Sequence, residues 1–259
     1  MDFLAGKAKE VAERVVQEEE GHRRHLVIYL SGAHAYGFPS PDSDLDLKAI
    51  HIEPTRNLLG LSNSKESFDR LEFIDGVEID YSSNEIKGVL AGIIAGNGNY
   101  IERVIGNLVA HSTPEHEELK ALVPSLLSQR LYRHYRGFAA NQRKSFAEAD
   151  KPTAKKLLYV LRTALTGTHL LNTGELRVDL TTTADDYGFA DANELIDAKK
   201  AGEQTVLSED VRQSWLKRLD SLFELLDNAH ERSALPEEAP GAKEAEDWLV
   251  KTRTVQLAR

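Results

Sequence analysis

Two aspartates, Asp44 and Asp46, follow Gly32 after a short loop, and their residue types and spacing suggest chemistry. The run Asp44-Leu45-Asp46-Leu47-Lys48-Ala49-Ile50-His51-Ile52 begins with polar and apolar residues in alternation. It reads as a strand that sends Asp44 and Asp46 to one face and Leu45 and Leu47 to the other. Two like charges a pleat apart repel unless a cation lies between them, and carboxylate oxygens suit a hard divalent ion, Mg2+ or Mn2+. Just upstream, Leu26-Val27-Ile28-Tyr29-Leu30 reads as a buried strand ending at Ser31-Gly32. Glycine at that point lets the backbone approach a ligand closely, and residues 33–36 would open a short helix whose positive end favours phosphate oxygens. A phosphate-sized turn beside paired carboxylates is what metal-dependent nucleotidyl transfer requires.

A third carboxylate is expected from a neighbouring strand, Gly76-Val77-Glu78-Ile79-Asp80-Tyr81. Asp80 is preferred to Glu78 because the strand reads as ending there. Ser82-Ser83-Asn84-Glu85 then looks like a capping box that starts the next helix, and sites collect at strand ends. His34 keeps two readings open, one facing a triphosphate and one hydrogen-bonded within its own loop. Asn97, Asn99 and Glu102 follow an apolar helix, Ile86 to Ala95, and read first as helix-end and N-cap chemistry.

The elements that must position these groups divide the chain. It has 259 residues, 41% of them hydrophobic, enough for one large or two modest domains. Cysteine is absent, which excludes disulfides and thiolate metal sites. Lys7 to Glu20 is too charged for a signal peptide and reads as an amphipathic helix. No apolar run reaches membrane-spanning length, so a cytoplasmic protein is expected. A net charge of −10 argues against sequence-independent coating of nucleic acid. Residues 130–177 nevertheless hold ten lysines or arginines against three acids. That segment suits a triphosphate or a nucleic-acid end, or else forms solvated helix faces. Beyond residue 113 strand signals are scarce. Helices are expected from Thr113-Pro114, over 125–149, 152–171 and 208–232, and from about Ala242, with a linker at Leu235 to Gly241. Lys155, Tyr159, Arg162, Thr166 and His169 share one polar stripe of the 152–171 helix.

From Gly32 to Asp46 the chain resembles the signature of the DNA polymerase beta superfamily of nucleotidyltransferases, a glycine turn followed by D-x-[DE]. Within it the chain is similar to the RNA-repair-associated polymerase-beta-like group. The likeness rests on Gly32-x-His34-Ala35-Tyr36-Gly37, Ser43-Asp44-x-Asp46, Leu59-Gly60-Leu61, Asp80, Gly96-Asn97-x-Asn99-x-x-Glu102 and Lys155-x-x-x-Tyr159-x-x-Arg162. It spans about residues 26–177. Two positions depart from the group: Ala33 stands where serine is usual, and Tyr159 where histidine is common. A lost hydrogen bond to a charged group costs about 1.5–3 kcal/mol, enough to weaken nucleotide binding without abolishing it.

The resemblance implies an α/β (α+β) nucleotidyltransferase domain with a small mixed sheet over residues 1–124, followed by an all-helical domain over 125–259 that closes the cleft. It implies transfer of a nucleoside monophosphate from an NTP to a hydroxyl, with an RNA end as the acceptor it points to. Asp44, Asp46 and Asp80 would hold two Mg2+ or Mn2+ ions, with Asp80 also taking the hydroxyl proton. Gly32, Ala33, His34 and Ser43 would meet the nucleotide, and Lys155 and Arg162 the leaving pyrophosphate. The alternatives are a non-catalytic NTP- or RNA-binding module of the same fold, and an enzyme that modifies a protein or small molecule. The oligomeric state is not legible.

Overall fold

The computed structural model describes residues 1–62, 64–200, 202 and 205–258. Two compact units are present. One comprises residues 1–32, 44–127 and 238 onward; the other comprises residues 33–43 and 128–237. These bounds differ from a single cut after residue 124. The loop before Asp44 folds with the helical unit, and the last helix folds with the sheet.

In chain order the elements up to residue 127 are α1 (Gly6–His22), β1 (His25–Leu30), α2 (Gly32–Ala35), β2 (Leu45–His51), α3 (Thr55–Leu59), β3 (Ser67–Ile74), β4 (Val77–Glu85), α4 (Ile86–Ile94), α5 (Gly98–Ile105), β5 (Val109–Ser112) and α6 (Pro114–Leu126). Helices α7 (Leu131–Ala147), α8 (Ala154–Thr173), α9 (Leu180–Asp186), α10 (Ala192–Lys200) and α11 (Glu209–Glu231) follow, and then α12 (Ala242–Ala258).

The five strands form one sheet in the order β3-β4-β2-β1-β5. It is mixed, as expected: β2 and β4 run parallel, and the other neighbours are antiparallel. β1 is buried along its whole length, which fits its unbroken apolar run. α1 lays Val11, Ala12, Val15 and Val16 over Ile28, Leu30, Leu45, Leu47, Ala49, Ile79 and Tyr81, so one sheet face is core. The opposite face carries Asp46, Lys48 and Asp80.

Several sequence expectations are corrected. β4 continues through Ser82, Ser83 and Asn84 to Glu85, so Asp80 lies inside a strand rather than at its end, and Glu85 caps α4. β3, for which no expectation was formed, carries Phe68, Arg70, Glu72 and Ile74 on its more covered face, where Arg70 bonds Glu18 at 2.8 Å and Glu19 at 3.1 Å. Its outward side chains include the exposed Leu71 and Phe73. The helix expected over 125–149 is broken after Leu126. There the amide of Gln129 donates to the carbonyl of Pro236 at 2.8 Å, a bond no local pattern announces.

α12 docks on the sheet unit through Trp248, whose indole donates to Glu118 at 2.8 Å, and through Arg253, which pairs with Glu85 at 2.8 Å. Thr55 donates its hydroxyl to the carbonyl of Arg253 at 3.0 Å. Trp248→Ala is therefore expected to cost about 3 kcal/mol and to lower the thermal midpoint by roughly 2–4 °C for each kcal/mol. An unchanged midpoint would detach α12 from this unit.

Candidate active site

The parallel register of β2 and β4 sets Asp46 directly beside Asp80. Both side chains lie on the face opposite α1, Asp46 with 17% and Asp80 with 45% of its side chain exposed. Asp44 stands one residue before β2 and is half-buried. The alternation that selected Asp46 also brings Lys48 to this face. Its ammonium lies 2.8 Å from Asp80 Oδ1 and 3.6 Å from Asp46 Oδ1, and donates to the carbonyl of Asp80 at 3.3 Å. Asp80 is also the register partner of Leu71, so the exposed Leu71 and Phe73 share this face with the acids.

Arg103 of α5 borders the same face and was not anticipated. Its guanidinium donates to Asn84 Oδ1, to Ser82 Oγ at 3.4 Å and to the carbonyl of Ala49 at 3.3 Å. Burial pulls its pKa below the ordinary value, against the opposing pull of Tyr100, Asp69, Glu102 and Asp80. The alternation that found Asp46 could have found Lys48, two residues on. Arg103 had no such signal, since its partners lie in two other strands.

Gly32 ties the turn to the acids. The amide of Ser31 donates to the carbonyl of Asp46 at 2.8 Å, and Gly32 follows with φ of +67°. A Cβ on Gly32 would fall 1.9 Å from Asp46 Oδ2, so the backbone is pressed against the carboxylate. Glycine is required here for its conformation and for its lack of a side chain.

The second unit holds the remaining candidates. Ala33 is buried, and its carbonyl accepts the amide of Phe38 at 3.1 Å; His34 is half-buried in the single turn of α2. The hydroxyls of Ser40 and Ser43 accept hydrogen bonds from Lys199, at 2.8 and 2.7 Å. Lys199 is fully buried, a rare state for lysine, and no local pattern announces it because its partners lie 156 and 159 residues away. The polar stripe of α8 is not a solvated face: Arg162, Thr166 and His169 are buried. The Arg162 guanidinium carbon sits 3.5 Å from the ring centre of Tyr36, and Tyr159 packs edge-on against Tyr36 and Phe38. Lys155 lines a cavity of about 690 Å³ with Lys151, Thr153, Lys156 and Tyr159. Elsewhere the basic segment is partly neutralised within its own unit, by Arg136–Asp227 at 2.8 Å, Arg143–Asp220 at 2.7 Å and Arg177–Asp186 at 2.5 Å.

The donors on the sheet face are carboxylate oxygens, the set a hard divalent cation prefers. Asp46 and Asp80 already share one cationic group, Lys48, and so fit such an ion as a pair. As the side chains stand, no group of three or more His, Asp or Glu among the described residues is arranged to hold a metal together. No helix among the described residues is long and apolar enough to cross a membrane.

Residues 8–251 match the model of the family described as the RNA repair pathway DNA polymerase beta family. The uncharacterized protein MJ0002 of Methanocaldococcus jannaschii is 28% identical over 223 residues, which cover 82% of this chain and 87% of that protein. Among solved structures, a nucleotidyltransferase-like protein from Exiguobacterium sibiricum is similar with a TM-score of 0.34 and 12% identity, covering 94% of this chain and 79% of that one.

The contact between Gly32 and Asp46 gives a direct test. Gly32→Ala adds a methyl group where Asp46 Oδ2 lies and forces alanine to positive φ, a strain of about 1–3 kcal/mol. The expected result is a lower thermal midpoint together with loss of any function that needs Asp46. A variant with wild-type stability would mean that the turn relaxes away from the carboxylate.

Proposed function

The chain belongs to the RNA repair pathway DNA polymerase beta family, and we propose that it is a metal-dependent nucleotidyltransferase that moves a nucleoside monophosphate from an NTP to a hydroxyl, releasing pyrophosphate. The observation that carries this reading is the Asp46–Asp80 pair, set side by side by strand register, sharing a cation and backed by the Gly32 turn. The family's description, which names an RNA repair pathway, supports an RNA end as the acceptor.

In this reading Asp46 and Asp80, with Asp44 beside them in sequence, would hold Mg2+ or Mn2+. The bound metal supplies Lewis acidity toward the phosphate and lowers the pKa of the acceptor hydroxyl. Asp80, the more exposed carboxylate, is assigned to accept the hydroxyl proton. Gly32 is assigned to meet the phosphate oxygens through its backbone N–H. Ala33, His34 and Ser43 are assigned to the nucleotide, and Lys155 and Arg162 to charge that grows on the leaving pyrophosphate. The stacking of Arg162 on Tyr36 fixes its guanidinium, so less conformational entropy is lost when it binds a phosphate. No protein nucleophile is needed, in keeping with a chain that has no cysteine.

The direct assay incubates the protein with Mg2+ or Mn2+, each labelled NTP in turn, and RNA, DNA and protein acceptors. Label on RNA is the expected outcome, and label on a protein or on nothing would redirect or end the proposal. Asp46→Asn should abolish transfer while the protein still melts cooperatively, because Lys48 keeps its partner in Asp80. Wild-type turnover by that variant at saturating Mg2+ would remove Asp46 from the chemistry.

Lys155 separates a working cation from a bystander. Lys155→Gln should lower kcat by at least about tenfold, or ~1.4 kcal/mol in the barrier, with no more than about 0.5 kcal/mol of stability lost. If stability and turnover both stay at wild-type values, Lys155 has no part in the reaction.

A further inference from the structure

Asp46 and Asp80 face each other across adjacent parallel strands, and strands in a sheet lie only about 4.8 Å apart. Two like charges in that position repel, and positive charge beside them offsets the repulsion. Lys48 supplies it. Its own register partner is Ser82, one pleat beyond Asp80, so the side chain leans back along the strands to reach Asp80 at 2.8 Å and Asp46 at 3.6 Å. Arg103, the other cation on this face, is engaged by Asn84, Ser82 and the carbonyl of Ala49.

We infer that Lys48 is an internal counter-ion that offsets the charge of the Asp46–Asp80 pair and that a divalent cation must displace in order to bind there. The inference rests on the metal-dependent reading above and goes beyond it, because it makes metal loading an exchange of one cation for another. Lysine suits the part. Its ammonium is a compact point charge on a flexible four-carbon stem, able to swing out toward water, with 18% of the side chain already exposed. An arginine would be harder to dislodge, since its planar fork can grip a carboxylate through two hydrogen bonds. Lys48 thus competes with the ion for the carboxylates, and its presence lowers the affinity of the pair for that ion.

A purely structural lysine would have the opposite signature, because its loss would loosen the carboxylates and weaken metal binding. The test is a titration of nucleotide-free protein with Mn2+ alone, followed by calorimetry, on wild type, Lys48→Met, Lys48→Gln and Lys48→Arg. Both neutral variants should bind Mn2+ more tightly than wild type by about fivefold or more, the scale of one unit charge near 4 Å in water-like surroundings. Their thermal midpoints should rise more on adding Mn2+ than that of wild type. Lys48→Arg should bind no more tightly than wild type. In a Lys48→Met, Asp46→Asn double variant the gain should vanish.

If wild type binds Mn2+ and neither neutral variant binds it more tightly, the exchange is overturned while the metal-dependent reading stands. If no variant binds Mn2+ although all melt cooperatively, both fall together.

Discussion

The site turns on the parallel pairing of β2 with β4. Every other strand contact in the sheet is antiparallel, and this one brings Asp46 and Asp80 into the same row. A slip of one residue along either strand would send one carboxylate to the α1 face, among Leu47, Ile79 and Tyr81, where an unpaired charge cannot be accommodated. The apolar face packed under α1 therefore sets the register of the charged one. Hydrophobic burial on one side of the sheet holds two like charges together on the other, and Lys48 offsets their repulsion.

Glycine at position 32 extends the same constraint to the end of β1. The Asp46 carboxylate occupies space that any side chain at position 32 would take, so the turn and the carboxylate pack directly together. The next residues leave the sheet unit, and Ser40 and Ser43 are gripped by the buried Lys199 before the chain re-enters β2.

The helical unit solves a different problem. Its central helix, α8, is buried over most of its length and carries Arg162 into the interior, where the face of Tyr36 takes the place of water around the guanidinium. Three of the ten positive charges that make residues 130–177 look basic, Arg136, Arg143 and Arg177, are matched by Asp227, Asp220 and Asp186 from α11 and α9. The basic character of the segment is thus narrower in the folded protein than in the sequence. It is concentrated in part around Lys151, Lys155 and Lys156 at the start of α8.

What depends on near neighbours can be read from the residues alone. Alternation in β2 assigned Asp46 to one face and the leucines to the other, Thr113-Pro114 started α6, Ser208 capped α11, and the glycine turn with D-x-D pointed to the family. These features are legible because side-chain direction, capping and turn geometry are fixed within a few residues. Only the tertiary structure decided that Asp80 belongs beside Asp46, for the reason of register rather than the strand end that the sequence suggested. It also decided that α12 belongs to the sheet unit, and that Lys48, Arg103 and Lys199 are built into their surroundings. The contacts that decide these outcomes, Asp46 with Asp80, Lys48 with Asp80, Arg103 with Asn84, Lys199 with Ser40 and Trp248 with Glu118, join residues far apart in the chain, brought together by packing energies that no local window contains.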